Sequence, residues 1–152
     1  QNSGKTLAIV GSDQGSIEKF IEFILSQYPG IRIIYFRNGY FNSRDVQDQV
    51  MSKLVGMDPD CILVGMGAPL QERFLVDLKQ RGWKGAGYTC GGFIHQTASK
   101  GSEYYPYFVN KFNVRFLYRM YDEPKLIKRY VVDYSMFLVC FSIDLVKKMV
   151  WK

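Results

Sequence analysis

The chain has 152 residues, the size of one domain, with 47% hydrophobic and 22% charged side chains. That is enough apolar material for one core, and it excludes disordered, collagen-like and low-complexity classes. Twenty Lys and Arg against 14 Asp and Glu give a net charge of +6, which suits an anionic partner, while one His and three scattered Cys cannot assemble a four-ligand zinc site.

Read in chain order, strands and helices alternate. Leu7-Ala8-Ile9-Val10 is an apolar run ending at Gly11. Ile17, Phe20, Ile21, Ile24 and Leu25 follow at helical spacing, and Pro29-Gly30 stops that helix. Ile31 to Phe36 predicts a second strand. Asn42 or Ser43 caps a second helix, with Val46, Val50 and Leu54 on one face. Cys61-Ile62-Leu63-Val64 is wholly apolar, as a parallel strand buried on both faces requires. A third helix runs from about Leu70 to Arg81, with Phe74, Leu75 and Leu78 inward, and Lys84 to Thr89 predicts a fourth strand. Each cysteine sits in an apolar run, as a small buried hydrophobe in a reducing compartment does. The chain begins at Gln1 with no signal-peptide pattern, and we expect it to be part of a longer protein.

This alternation predicts an α/β fold: a Rossmann-like, open, mainly parallel sheet flanked by helices over residues 1–103. Ligands of such sheets sit beyond the carboxyl ends of the strands. The loops expected there are Gly11-Ser12-Asp13-Gln14-Gly15, Asn38-Gly39-Tyr40-Phe41, Gly65-Met66-Gly67-Ala68-Pro69 and Cys90-Gly91-Gly92-Phe93, all with glycine. Glycine lets backbone N–H groups approach a phosphate, so a nucleotide-type ligand is expected. Residues 104–152 form a helical, basic and apolar appendage: aromatic residues from Tyr104 to Phe108, a helix from about Val109 to Tyr121, a break at Glu123-Pro124, and a mixed tail from Leu126. Asp133 and Asp144 interrupt that tail, and no uncharged run reaches transmembrane length. It either packs as a core helix or lies on a membrane surface with its basic residues on anionic lipid.

Two phosphate-binding motifs are excluded. Gly4-Lys5-Thr6 precedes the first strand, where a P-loop needs a strand before it, and no G-x-G-x-x-G follows that strand. The sharpest signal is Gly65 to Glu72. A buried strand ends in glycines, Pro69 starts a helix, and Gln71 and Glu72 occupy its first turn. Gln71 can bond a sugar or diphosphate; Glu72 bonds hydroxyls or complements the helix dipole. His95 and Ser99 lack a nucleophile elbow and an evident orienting carboxylate, so His95, with Gln96 and Thr97, reads as a polar structural or ligand-contacting residue. Arg115, Arg119, Lys125, Lys128 and Arg129 form either a solvated face or an anion site.

These residues resemble the WecG/TagA/CpsF group of bacterial glycosyltransferases, glycosyltransferase family 26. Val64-Gly65-Met66-Gly67-Ala68-Pro69-Leu70-Gln71-Glu72 is similar to its V-G-L-G-x-P-x-Q-E, and Asn38-Gly39-Tyr40-Phe41 to its H-G-Y-F. Phe116-Leu117-Tyr118-Arg119, Glu123-Pro124 and Lys128-Arg129-Tyr130 are similar to its W-x-Y-R, E-P and R-Y. The resemblance implies inverting, metal-independent sugar transfer from a nucleotide diphosphate, usually UDP. The implied acceptor is a sugar on a polyprenyl diphosphate, used in teichoic acid, common-antigen or exopolysaccharide synthesis. It implies a peripheral location on the cytoplasmic face of the membrane, engaged through the basic C-terminal segment.

With the loop reading, it makes Gly11, Ser12, Asp13, Gly39, Tyr40, Gly65, Gly67, Gln71, Glu72, Phe93, His95 and Gln96 donor-binding, with Gln71 orienting the donor. Arg119, Lys125 and Arg129 become diphosphate or lipid contacts. No cofactor or metal and no nucleic acid are expected; a homo-oligomer is left open. The chain departs from the family in three places. The family's Asp base belongs to an N-terminal portion before the first strand, so the base is expected outside these residues. Asp13, Asp45 and Glu72 are unconvincing substitutes. The family's F-D becomes Phe93-Ile94-His95, and the Arg of its R-A-P becomes Tyr105. The competing reading is a non-catalytic basic module that binds nucleotide, membrane or nucleic acid.

Overall fold

Continuous apolar runs set the strands, and helical periodicity sets what covers them. A computed structural model describes residues 4–101, 105–122 and 124–150. The chain divides into two units, Gln1–Tyr104 and Tyr105–Lys152.

The first unit holds β1 (Thr6–Gly11), α1 (Gln14–Gln27), β2 (Arg32–Arg37), α2 (Arg44–Met57), β3 (Cys61–Gly65), α3 (Leu70–Gln80), β4 (Ala86–Thr89) and α4 (Phe93–Lys100). The strands form one parallel sheet in the order β2-β1-β3-β4. Side chains of a strand alternate between faces, and both faces of the central β1 and β3 are covered, whereas the edge strand β4 is exposed. Ala8, Val10, Ile62 and Val64 pack with Val50, Met51 and Leu54 of α2 and with Phe74 and Leu78 of α3. On the other face, Ile9 meets Ile17, Phe20 and Ile21 of α1 and Ile94 of α4. Trp83 is buried, and its indole N–H donates to Pro59 O at 2.8 Å. This is the open α/β arrangement that the alternation predicts.

Two local expectations change. The segment after Gly92 is a helix, α4, which the apolar pattern does not announce. Its inward positions are Ile94, Thr97 and Ala98, and two of those three are not strongly apolar. The single helix expected over residues 109–121 is two short ones. These are α5 (Tyr107–Lys111) and α6 (Arg115–Asp122), separated where Asn113 takes φ +55°. Asparagine tolerates that left-handed backbone better than most residues, and the helix cannot run through it.

The second unit continues with α7 (Lys125–Lys128), a π-helical turn over Arg129–Asp133, and α8 (Tyr134–Val150). Apolar residues of α8 are exposed, Met136 by 63% and Phe137 by 64% among them. Among the described residues no helix is long and apolar enough to cross a membrane.

Candidate functional site

A parallel sheet places all strand carboxyl ends on one edge, so the four glycine loops gather there. They are also tied together. Gly11 and Gly65 are register partners at the ends of β1 and β3. Ser12 N donates to Gly65 O at 2.9 Å, Gly39 N to Ser12 O at 2.9 Å, and Cys90 N to Val64 O at 2.8 Å. Ser12 sits at φ +57°, a backbone region costly for a residue with a side chain. A Cβ on Gly11 would stand 2.5 Å from Gly65 O, and one on Gly65 2.9 Å from Gly91 O. Gly11 and Gly65 are therefore glycine because backbone packs on backbone there. Gly67, at φ +78°, faces open space instead.

Gln71 links two of the loops. It is 7% exposed; its side-chain oxygen accepts from Gly91 N at 3.0 Å, and its amide nitrogen donates to Glu72 Oε1 at 2.8 Å. Phe93 packs edge-on against Phe20, with ring centroids 5.8 Å apart, and stays half exposed. Gln96 is partly buried in the first turns of α4.

On the α2–α3 side of the edge lies a cleft of about 760 Å³. Gly39, Tyr40, Arg44, Met66, Leu70 and Arg73 are among the residues lining it, as are Asp48 and Arg81, which pair with each other. Tyr40 is 71% exposed, its N–H donating to Asn38 Oδ1 and its carbonyl accepting from Arg37. Arg44 opens α2 and Arg73 lies in the first turns of α3. The basic residues that stand out in sequence lie in the tail, whereas these two stand at the sheet edge. Their signal was present, since each follows a strand-end loop. α3 and α4 both begin without a side-chain cap, whereas α1 is capped by Asp13, whose Oδ1 accepts from Ser16 N at 2.9 Å.

Asp13 also changes the reading of His95. No carboxylate was evident beside this histidine in sequence. The fold brings Asp13 Oδ2 to 3.7 Å from His95 Nδ1, with Ser16 Oγ between them, 2.7 Å from Asp13 Oδ2 and 2.9 Å from Nδ1. Ser16 is buried and went unnoticed, although Asp13-x-x-Ser16 before Ile17 is a capping spacing. The Ser16 hydroxyl, then the Ser16 amide, hold the Asp13 carboxyl below the usual carboxylate range. Ser99 Oγ donates to His95 O and so takes no part with the ring.

The other predicted positions are placed as follows. Arg119 lies in α6; Arg115 donates to Asn110 Oδ1 and covers the Tyr105 ring at 5.4 Å. Lys128 is exposed. The side chains of Lys125 and Arg129 lie outside the described ones, as do residues Tyr104 and Glu123. Among the described residues no group of three His, Cys, Asp or Glu comes together as a metal site would require.

Comparison with known proteins extends the motif match to nearly the whole chain. The model of the "Glycosyl transferase WecG/TagA/CpsF family" matches residues 1–150. A Shigella boydii protein named UDP-Gal:alpha-D-GlcNAc-diphosphoundecaprenol beta-1,4-galactosyltransferase is 36% identical over 93% of this chain and 58% of its own. An N-acetylglucosaminyldiphosphoundecaprenol N-acetyl-beta-D-mannosaminyltransferase of Bacillus subtilis (strain 168) is 26% identical over 82% of this chain and 47% of its own. The chain thus spans about half the length of the curated relatives it matches. With the family model covering residues 1–150 and the Shigella relative 36% identical, this chain belongs to the WecG/TagA/CpsF family of glycosyl transferases.

Proposed function

We propose that this chain is the nucleotide-sugar-binding part of a glycosyltransferase whose acceptor is a sugar on a polyprenyl diphosphate. One observation carries the reading. The strand-end loops form a single tied edge that opens, between α2 and α3, into a cleft bearing the exposed Tyr40 ring with Arg44 and Arg73. An aromatic face suits a nucleobase, and guanidinium groups suit a diphosphate. Departure of a nucleoside diphosphate leaves negative charge, which Arg44, Arg73 and the uncapped start of α3 stabilise. Transfer on this account needs no metal, and direct displacement of the nucleoside diphosphate by the acceptor hydroxyl, whose proton passes to a general base, inverts the anomeric centre.

Gln71 acts here by holding the Gly91 loop and Glu72 in place, and so orients the donor indirectly. The relatives' names supply the acceptor class, a GlcNAc-diphosphoundecaprenol, and UDP-galactose as the first donor to test. The exposed apolar face of α8, ending in Lys147 and Lys148, suits the anionic surface of the membrane that carries such a lipid, on its cytoplasmic side. Thermal melting with UDP or UDP-galactose in the presence of EDTA tests the reading. A rise in melting temperature is expected; no shift with either ligand would contradict it.

A further inference from the structure

Resting on the nucleotide-sugar reading, we infer that the neutral His95 ring presents Nε2, not Nδ1, as the hydrogen-bond acceptor for a hydroxyl of the bound nucleotide sugar. A serine hydroxyl has a single hydrogen to give. Asp13 is ionised and only accepts, and Ser16 Oγ stands 2.7 Å from its Oδ2. The Ser16 hydrogen therefore points to Asp13. The 2.9 Å contact between Ser16 Oγ and His95 Nδ1 then needs its hydrogen from the ring, which makes the neutral imidazole the Nδ1–H tautomer. Its Nε2 carries a lone pair. The ring is 56% exposed, and Nε2 has no partner among the described residues.

The surroundings select the ligand group. On this side of the edge stand the Asp13 carboxylate and the Nε2 lone pair, both acceptors, so a phosphate oxygen is repelled and a hydroxyl is welcomed. The arginines, Arg44 and Arg73, stand on the α2–α3 side. The bound donor is thereby oriented, hydroxyls toward α1 and α4, diphosphate toward α2 and α3. Ser16 is a positioning residue that sets the tautomer. The hydroxyl comes either from the ribose or from the transferred sugar, and both offer the same donor.

The chain has a single histidine, so its ring nitrogens are read without assignment. A long-range 15N–1H spectrum at mildly alkaline pH should show the Nδ1–H tautomer, and Ser16→Ala should shift it toward Nε2–H; an Nε2–H ring in the wild-type chain would overturn the proposal. Calorimetric titration then compares UDP and UDP-galactose. His95→Asn keeps a group near Nδ1 but leaves nothing at Nε2, and should weaken binding about three- to tenfold. His95→Gln restores an oxygen there and should recover most of it. Equal loss for both ligands names the ribose hydroxyl; loss confined to UDP-galactose names the sugar, and either supports the proposal. Unchanged affinity in His95→Asn, with the wild type binding, would overturn it. A wild-type chain that bound neither ligand would overturn the nucleotide-sugar reading and the ligand half of this proposal together, while the spectrum still decides the tautomer.

Discussion

The Gly91 amide donates to the side-chain oxygen of Gln71 at 3.0 Å, so one buried side chain joins the loops after β3 and β4. Gln71→Ala leaves that amide without its acceptor and Glu72 without its donor. A lost partner in a buried position costs about 1–3 kcal/mol. Urea unfolding should show this as a lower midpoint with unchanged slope, and donor turnover in an active full-length enzyme should fall with it. An unchanged midpoint would remove Gln71 from its linking role.

The glycines separate into two kinds, and alanine substitution distinguishes them. Gly11→Ala drives a Cβ into Gly65 O, backbone against backbone, and should destabilise by several kcal/mol, on the order of the worst overpacking effects. Gly56, in the last turn of α2, has open space and ordinary helical φ. Gly56→Ala should stabilise by about 0.5–1 kcal/mol through lower chain entropy and better helix propensity. Melting temperatures of the two variants should move in opposite directions.

The four strands are legible as short, mostly apolar runs between turn residues, and the first three helices as apolar residues repeating near 3.6. The wholly apolar Cys61–Val64 run announced a strand buried on both faces. The loop positions followed from that alternation. What was not readable depends on long-range placement. Ser16 and His95 are 79 residues apart in the chain and meet only because α1 and α4 share one face of the sheet. α4 was missed because Thr97 and Ala98 fill its inward positions, and the break at Asn113 needed a backbone angle that no periodicity reports. The cleft arginines do not stand out along the chain, where the basic tail dominates, and only the fold gathers them at the sheet edge.

Asp13 links folding to acid. Its folded carboxyl titrates below the usual carboxylate range because the Ser16 hydroxyl and amide bond its ionised form. The stabilisation is therefore present above the ordinary carboxylate range and is lost as pH falls through the depressed folded value. Asp13→Ala should cost about 1 kcal/mol at neutral pH as a lost N-cap. The gap between wild type and variant should close in acid, read from urea midpoints across a pH series.

The three cysteines should differ in reactivity. Burial pushes the Cys90 thiol up to about 11, so almost none is thiolate near neutrality. Cys61 is also raised, chiefly by burial, while Cys140 is exposed on α8. Iodoacetamide labelling followed by peptide mass spectrometry should modify Cys140 first and Cys90 last. The reverse order would contradict the packing of Cys90 beneath Gly65.

The central claim is that the nucleotide sugar binds at the tied strand-end loops without a metal. Amide chemical-shift mapping of the chain with UDP-galactose in EDTA tests it most directly. The account predicts shifts concentrated at residues 12–16, 38–44, 66–73 and 91–96, saturating with one ligand per chain. Shifts confined to residues 126–148, or none at saturating ligand, would contradict it.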